Sequence, residues 1–346
     1  MWRSLKWWRL VALVVVATLA VPAIPNPDAQ PAAELELGLV AGRGVPLQPR
    51  ESRRLGARVV RVEFSIESSP RQLAPVIAAY ARAGVRVLPL AGFIGRVPSQ
   101  SEAEHLAAWA AAFGPGGSFW RHRAGGALAV RDIEFGNETS YSYQFGGCGS
   151  GCRLYMPRAR AYALAFLAAQ QAIAGPQGNP GVGLLAQADY GGDGNEWVNG
   201  MFDAVPDLAW RVAGWTVHTY GPRSRWQPRL DALIGQTRAR GAPASIPIYI
   251  TELGLASDNG ACLSDNYDWS RCMTYTEAGS ALSSTVASIR ARYGARIHSI
   301  FVYQLADHAS PGRDTNREDY FGVLRRDGSP KGAYTAAVRA LLRANP

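Results

Sequence analysis

The chain has 346 residues, of which 47% are hydrophobic and 18% charged, with 37 Gly and 22 Pro. Those fractions exclude a disordered chain, a collagen-like repeat and a small disulfide knot. At this length roughly three-quarters of the unfolded surface is buried on folding, and an α/β barrel of about 250 residues or more folds as one domain. The formal charge is +9, but Arg3, Lys6 and Arg9 all fall in the first nine positions. Lys6 and Lys331 are the only lysines, and the arginines are scattered, with no run of five or six like charges. Nucleic-acid binding needs a clustered basic face, so that class is set aside.

Residues 1–9 are basic and aromatic, 10–21 are apolar apart from Thr18, and Val21-Pro22-Ala23 offers small residues for cleavage. This three-part pattern predicts a secretory signal peptide over 1–23. The apolar run over 10–24 falls short of the ~20 residues a membrane span needs, which leaves an uncleaved N-terminal anchor as the alternative. Residues 24–33, with three prolines, read as an extended linker. The folded part, 34–346, is therefore expected to work outside the cytoplasm.

From residue 35 onward, short β-branched apolar runs alternate with longer stretches rich in Ala, Leu and Arg. Strands are predicted over 35–41, 59–65, 85–91, 127–136, 182–188, 212–220, 246–253 and 297–305. Helices are predicted over 70–83, 101–113, 157–174, 229–240, 276–293 and 330–344. Crossovers of this size imply parallel strands, and eight strands in such a chain fit a closed (β/α)8 barrel in one domain. No Gly-x-Gly-x-x-Gly turn follows the first strand, which argues against a dinucleotide fold.

Four cysteines agree with an oxidising compartment. Cys148 and Cys152 bracket one short loop, and Cys262 and Cys272 bracket another, so two local disulfides are expected. A four-cysteine zinc site is the competing reading. Nine residues separate the second pair, whereas zinc pairs usually have about two to four between them. No metal and no cofactor are implied, and the five histidines form no ligand pattern.

Active sites of such barrels lie at the C-terminal ends of the strands, so polar residues ending apolar runs carry the chemistry. Ile133-Glu134-Phe135-Gly136-Asn137-Glu138 ends the fourth run, and Ile248-Tyr249-Ile250-Thr251-Glu252-Leu253-Gly254 ends the seventh. Period-two alternation places Ile248, Ile250 and Glu252 on one face, read here as the barrel interior. By the same rule Arg61 and Glu63 turn inward while Val60, Val62 and Phe64 face the helices. An internal Arg61–Glu63 pair is the plain structural reading of that segment. His218-Thr219-Tyr220 ends the sixth run.

In order of elements and in these strand ends the chain resembles the clan A glycoside hydrolases, as a divergent member with family-5-like and family-39-like features. The residues that carry the resemblance are Asn137-Glu138 after strand four, Ile250-Thr251-Glu252-Leu253-Gly254 at strand seven and the stretch from Asp319 to Leu324 leading into the last helix. The resemblance implies a retaining enzyme in which Glu138 is the general acid/base and Glu252 the nucleophile. It also implies that Asn137 meets a sugar hydroxyl and that Arg61, His218 and Tyr220 support the pair. The chain departs from that pattern in two places. Leu88-Pro89-Leu90-Ala91-Gly92 ends strand three without a His, and Tyr303 stands where a Trp usually floors the first sugar subsite.

Glycosidic cleavage needs one carboxylic acid to protonate the leaving oxygen and one carboxylate across the sugar ring. Glu138 is expected to be neutral at rest and Glu252 ionised, with carboxyl groups about 5–5.5 Å apart for a retaining enzyme. The expected partner is a carbohydrate. Loops 256–276 and 308–319 are placed to shape its choice. A carbohydrate-binding barrel without turnover is the rival reading, but a lectin-like site gains little from two mutually repelling carboxylates. Asn195-Glu196 repeats the key dipeptide in a Gly-rich stretch read as a solvent-facing loop. Asn137-Glu138-Thr139 is formally a glycosylation sequon, but a glycan there would block the cleft. Trp197, Trp215, Trp226 and Trp269 are open between sugar platforms and packing.

Overall fold

The computed structural model describes residues 35–42, 47–141, 155–188, 196–262, 270, 272–308 and 317–344. The predicted signal peptide and linker, Cys148, Cys152 and Trp269 lie outside the described residues. Strand β1 (Glu36–Val40) is followed by α1 (Pro49–Leu55), β2 (Val59–Ser65), α2 (Pro70–Arg82), β3 (Arg86–Gly92), α3 (Gln100–Glu104) and α4 (Leu106–Phe113). Next come β4 (Asp132–Phe135), α5 (Tyr155–Ala174), β5 (Gly183–Gln187), α6 (Glu196–Ala204), α7 (Leu208–Arg211) and β6 (Gly214–His218). The chain ends with α8 (Arg223–Ala239), β7 (Ile248–Leu253), α9 (Tyr275–Tyr293), β8 (Ile297–Val302) and α10 (Ala333–Arg343). The eight strands pair in sequence order and all in parallel, and β1 closes on β8. This is a single-domain (β/α)8 barrel, and Glu34–Pro346 forms one compact unit.

All eight predicted strands are present, and the differences lie at their edges. The run over 127–136 yields only Asp132–Phe135, because Gly125 adopts a left-handed φ of 109° and starts a 3-10 turn at Gly126–Leu128. The helix predicted over 229–240 begins earlier, as α8 at Arg223, and carries Pro228 in its interior. The helix predicted over 101–113 is two, meeting at His105, and the first is capped reciprocally by Ser99 and Glu102. Helices α1, α6 and α7 were not predicted. Glu196 opens α6 rather than lying in a loop, and Asn195 is outside the described residues.

The alternation of side chains divides the apolar residues into two layers. Val40, Val59, Leu88, Leu185, Tyr249 and Phe301 fill the barrel. Val60, Val62, Ile133, Phe135, Val217, Ile248 and Ile250 pack in the larger layer between the strands and the helices. Ile248 and Ile250 therefore face outward, contrary to the sequence reading. Trp197, Trp215 and Trp226 are buried packing residues; Trp215 meets Phe202 edge-on at 5.9 Å and Trp197 meets Tyr162 at 5.4 Å. Among the described residues no helix is long and apolar enough to cross a membrane.

The Cys262–Cys272 disulfide is present, closing the loop after β7. Behind the barrel mouth a buried ion pair gathers three segments. The Lys331 ammonium donates to Asp307 Oδ1 at 2.8 Å, to the Tyr320 carbonyl at 2.8 Å and to the Ser257 carbonyl at 3.0 Å. Its three donors meet three acceptors, a match that suits an ammonium better than a planar guanidinium. The Gly322 amide also donates to Asp307 Oδ1 at 2.8 Å, and a Cβ at Gly322 would lie 2.1 Å from the Asp307 nitrogen. Burial pushes the Asp307 carboxyl up to about 6 despite its ammonium partner. Replacing Lys331 by Met is expected to destabilise the fold by about 3 kcal/mol, since it strands a buried carboxylate and two carbonyls. Denaturant unfolding of the two proteins measures the difference, and a loss under about 1 kcal/mol would show the pair to be dispensable.

Candidate active site

The C-terminal strand ends converge on Arg61 of β2. Its guanidinium is buried and uses all three nitrogens: Nε donates to Glu134 Oε2 at 2.5 Å, Nη1 to Glu252 Oε1 at 2.6 Å and Nη2 to Asn137 Oδ1 at 2.7 Å. Burial opposes the arginine's charge, but the fields of Glu134 and Glu252 outweigh it and hold the group firmly cationic. Its partners are thus Glu134, Glu252 and Asn137 in place of the Glu63 of the plain structural reading. Glu63 is exposed at the mouth, with its carboxyl laid against Gly92, where a Cβ would come within 2.7 Å of Oε1.

Glu252 reaches this guanidinium by a departure from strand regularity. On β6, Val217 is paired with Ile250 and His218 with Glu252, so Thr251 is an extra residue opposite no partner. A bulge of this kind reverses the facing of the residues beyond it. Without it Glu252 would share the outward face of Ile248 and Ile250; with it Glu252 turns in beside His218. The sequence reading placed Glu252 inside correctly, but by assigning the wrong face to the isoleucines before it.

Glu138 is placed by another backbone feature. Gly136 has φ 82° and Glu138 itself has φ 45°, both left-handed. A Cβ at Gly136 would lie 2.5 Å from Thr139 Cγ2 and 2.6 Å from the Phe93 ring, so the turn after β4 needs glycine there. The end of β4 is tied to β5 through Tyr162 of α5, whose hydroxyl donates to the Phe135 carbonyl and accepts from the Gln187 amide, each at 2.7 Å.

Between the two carboxylates stands His218, fully buried, its Nδ1 2.8 Å from Glu138 Oε1 and 3.4 Å from Glu252 Oε2. The Tyr220 hydroxyl donates to Glu252 Oε2 at 2.6 Å. Tyr220, just past the end of β6, packs edge-on to Tyr303 at 6.1 Å and to Phe321 at 5.6 Å. The Tyr303–Gln304 peptide is cis. Every described residue named from sequence as catalytic or supporting, namely Arg61, Asn137, Glu138, His218, Tyr220, Glu252 and Tyr303, thus falls in one cluster.

The electrostatics separate the two glutamates. Burial raises the Glu138 carboxyl above its ordinary range, and the negative Glu252 adds to that rise. Burial would raise Glu252 too, but the fields of His218 and Arg61 and the hydrogen bonds from Tyr220 and Arg61 hold it below its ordinary value. His218 is disfavoured as a cation by burial, yet the neighbouring carboxylates carry it above its usual range. One oxygen of each carboxylate and a His218 nitrogen all lie within 4.8 Å of one another. A metal ion would find those ligand types, but both Glu252 oxygens already accept from Arg61 and Tyr220, and the guanidinium opposes a second cation. The cluster is a hydrogen-bonded acid/base set.

Sequence reasoning passed over Glu134 and Thr251. Glu134 is fully buried, and its other oxygen accepts from Thr251 Oγ1 at 2.8 Å. The signal was present in β4, where Asp132 and Glu134 alternate with Ile133 and Phe135 and so face the interior.

No protein-family model matches the sequence, and no curated protein does either. Solved structures do. GH5_18 from Streptomyces cattleya, in complex with GlcNAc, matches with 15% identity and a TM-score of 0.57 over 90% of this chain and 80% of that one. An endo-laminarinase from Formosa Hel1_33_131 matches with 14% identity and a TM-score of 0.59 over 90% of each chain. A fungal β-1,4-galactanase matches with 11% identity and a TM-score of 0.60 over 89% of this chain and 100% of that one. The likeness is one of fold, the (β/α)8 barrel.

Replacing Tyr220 by Phe removes a donor to ionised Glu252 and is expected to raise the Glu252 carboxyl by about one pH unit, the worth of one hydrogen bond to a charged group. Carboxyl-carbon NMR on protein labelled at glutamate Cδ follows that midpoint. No movement would show that the bond does nothing for the charge.

Proposed function

We propose that this chain is a retaining clan A glycoside hydrolase that acts on a poly- or oligosaccharide outside the cytoplasm. The observation that carries the proposal is the paired glutamates at the barrel mouth, with oxygens within 4.8 Å and protonation pushed in opposite directions. One is suited to remain an acid and the other to remain an anion. Carboxylate oxygens this close favour direct attack over the wider spacing, about 6.5–9.5 Å between carboxyl groups, of enzymes that activate a water in between. The structural neighbours named as GH5_18, endo-laminarinase and β-1,4-galactanase support the same reading. The Cys262–Cys272 disulfide supports an oxidising compartment.

In the first step a Glu252 oxygen attacks the anomeric carbon as the glycosidic bond breaks, and the leaving oxygen takes the Glu138 proton. In the second step Glu138 takes a proton from water, whose oxygen attacks the same carbon and releases Glu252. Two inversions give net retention. Arg61 and Tyr220 hold Glu252 ionised and aimed, Asn137 lies beside the guanidinium in position to meet a sugar hydroxyl, and Tyr303 offers a ring for the sugar face. A barrel that only bound carbohydrate would have no use for carboxylates with opposed protonation.

Replacing Glu252 by Gln should cut turnover of an activated aryl glycoside by at least a thousandfold while leaving the fold intact. Replacing Glu138 by Ala should slow substrates with poor leaving groups far more than those with good ones. The pH profile of kcat/KM has a definite sign: activity is lost on acidification as Glu252 takes a proton, and lost on alkalinisation as Glu138 gives one up. Proton NMR of the first-formed anomer tests retention. An inverted product, or an active Glu252→Gln enzyme, would refute the mechanism.

A further inference from the structure

Glu134 is a fourth carboxylate in the vicinity of the site, after Glu63, Glu138 and Glu252, and the two-step mechanism gives it no part. It sits below the mouth with no exposed surface. Each of its oxygens is committed to a group that flanks Glu252. Oε2 accepts from Arg61 Nε at 2.5 Å, and Arg61 Nη1 in turn donates to Glu252 at 2.6 Å. Oε1 accepts from Thr251 Oγ1 at 2.8 Å, and Thr251 is the unpaired bulge residue immediately before Glu252.

We propose that Glu134 is the positioning residue of this site: it fixes both the guanidinium and the bulge that aim Glu252, and its charge sets how much of the guanidinium's charge Glu252 receives. The role of Glu252 as the attacking group rests on the glycosidase reading, but the positioning does not. A neutral Gln could hold the same two partners, its carbonyl accepting from Arg61 and its amide donating to Thr251, at a far smaller desolvation cost than a carboxylate. Retaining a buried charge there makes sense if the charge itself acts. Arg61 alone beside Glu252 would stabilise the anion fully and blunt it as a nucleophile. Shared between two carboxylates, the same guanidinium keeps Glu252 ionised while leaving it reactive. The other groups facing Glu252 are His218 from β6, Tyr220 past its end and Glu138 past β4. Glu134 differs from them in binding the guanidinium and the bulge residue at once.

The test is a carboxyl-carbon NMR titration of protein labelled at glutamate Cδ, with the Glu252 signal assigned by its loss in Glu252→Gln. Glu134→Gln removes a negative charge and should lower the Glu252 midpoint by about one pH unit. Thr251→Val strips a donor from Glu134, concentrates its charge, and should move the midpoint the other way by a smaller amount, while Thr251→Ser restores it. Opposite shifts are something a purely structural residue would not produce. On an aryl glycoside, Glu134→Gln and Thr251→Val should each lower kcat about tenfold or more with KM little changed. An unmoved Glu252 midpoint in Glu134→Gln overturns the proposal. If that variant does not fold, a Thr251→Val protein with the midpoint and kcat of Thr251→Ser overturns it instead. Opposed shifts in a protein that cleaves no glycoside would uphold the positioning and sink the glycosidase reading. Turnover with no shifts would do the reverse.

Discussion

One buried guanidinium organises this site. Arg61 donates to groups from three places in the chain: Glu134 within β4, Asn137 past its end and Glu252 on β7. Burying a cation costs several kcal/mol unless its charge and its donors are all met, and burying the carboxylates would cost the same without it. Each partner therefore constrains the others. Closure of the barrel brings β2, β4 and β7 around one axis, and the arginine converts that proximity into fixed distances.

The remaining irregularities are intelligible from that centre. A regular β7 would send Glu252 into the helix layer with Ile248 and Ile250, so the extra residue Thr251 is the condition for the carboxylate to reach the guanidinium. A regular exit from β4 would carry Glu138 away from the mouth. The left-handed conformations at Gly136 and Glu138 turn it back over His218. The left-handed turn after β4 and the extra residue in β7 thus both serve the site, while a further register shift, between Ile297 and Ser299 of β8, lies at the lower end of the barrel.

Much of this was legible in the sequence because strand ends announce themselves. An apolar run that stops on a charged or hydrogen-bonding residue marks the mouth of a barrel, which singles out Glu138, His218, Tyr220 and Glu252, whereas Arg61 stands out as a charge inside an alternating apolar run. What was hidden depends on register. Period-two counting assumes an unbroken strand, and nothing in Ile-Tyr-Ile-Thr-Glu-Leu signals that Thr251 lacks a partner across the sheet. Glu134 was masked by its neighbours, since a carboxylate four residues before a catalytic candidate reads as part of the same motif. The tryptophans were undecidable for a different reason. Trp197, Trp215 and Trp226 have the composition of sugar platforms, and only their burial assigns them to packing.

The departure at strand eight also has a physical resolution. Tyr303 is smaller than the indole usual at that place, but it does not stand alone. Tyr303, Tyr220 and Phe321 meet edge to face at 5.5–6.1 Å, forming one aromatic wall beside Glu252. Phe321 is held in that wall from behind, since Lys331 binds the Tyr320 carbonyl and Asp307 binds the Gly322 amide on either side of it. Phe321, buried and braced by the ion pair, backs the half-buried rings of Tyr303 and Tyr220, which are the two of the three that reach the cleft. The wall also carries the hydroxyl that steadies Glu252, so the surface that would receive the sugar and the group that would attack it are set by the same contacts.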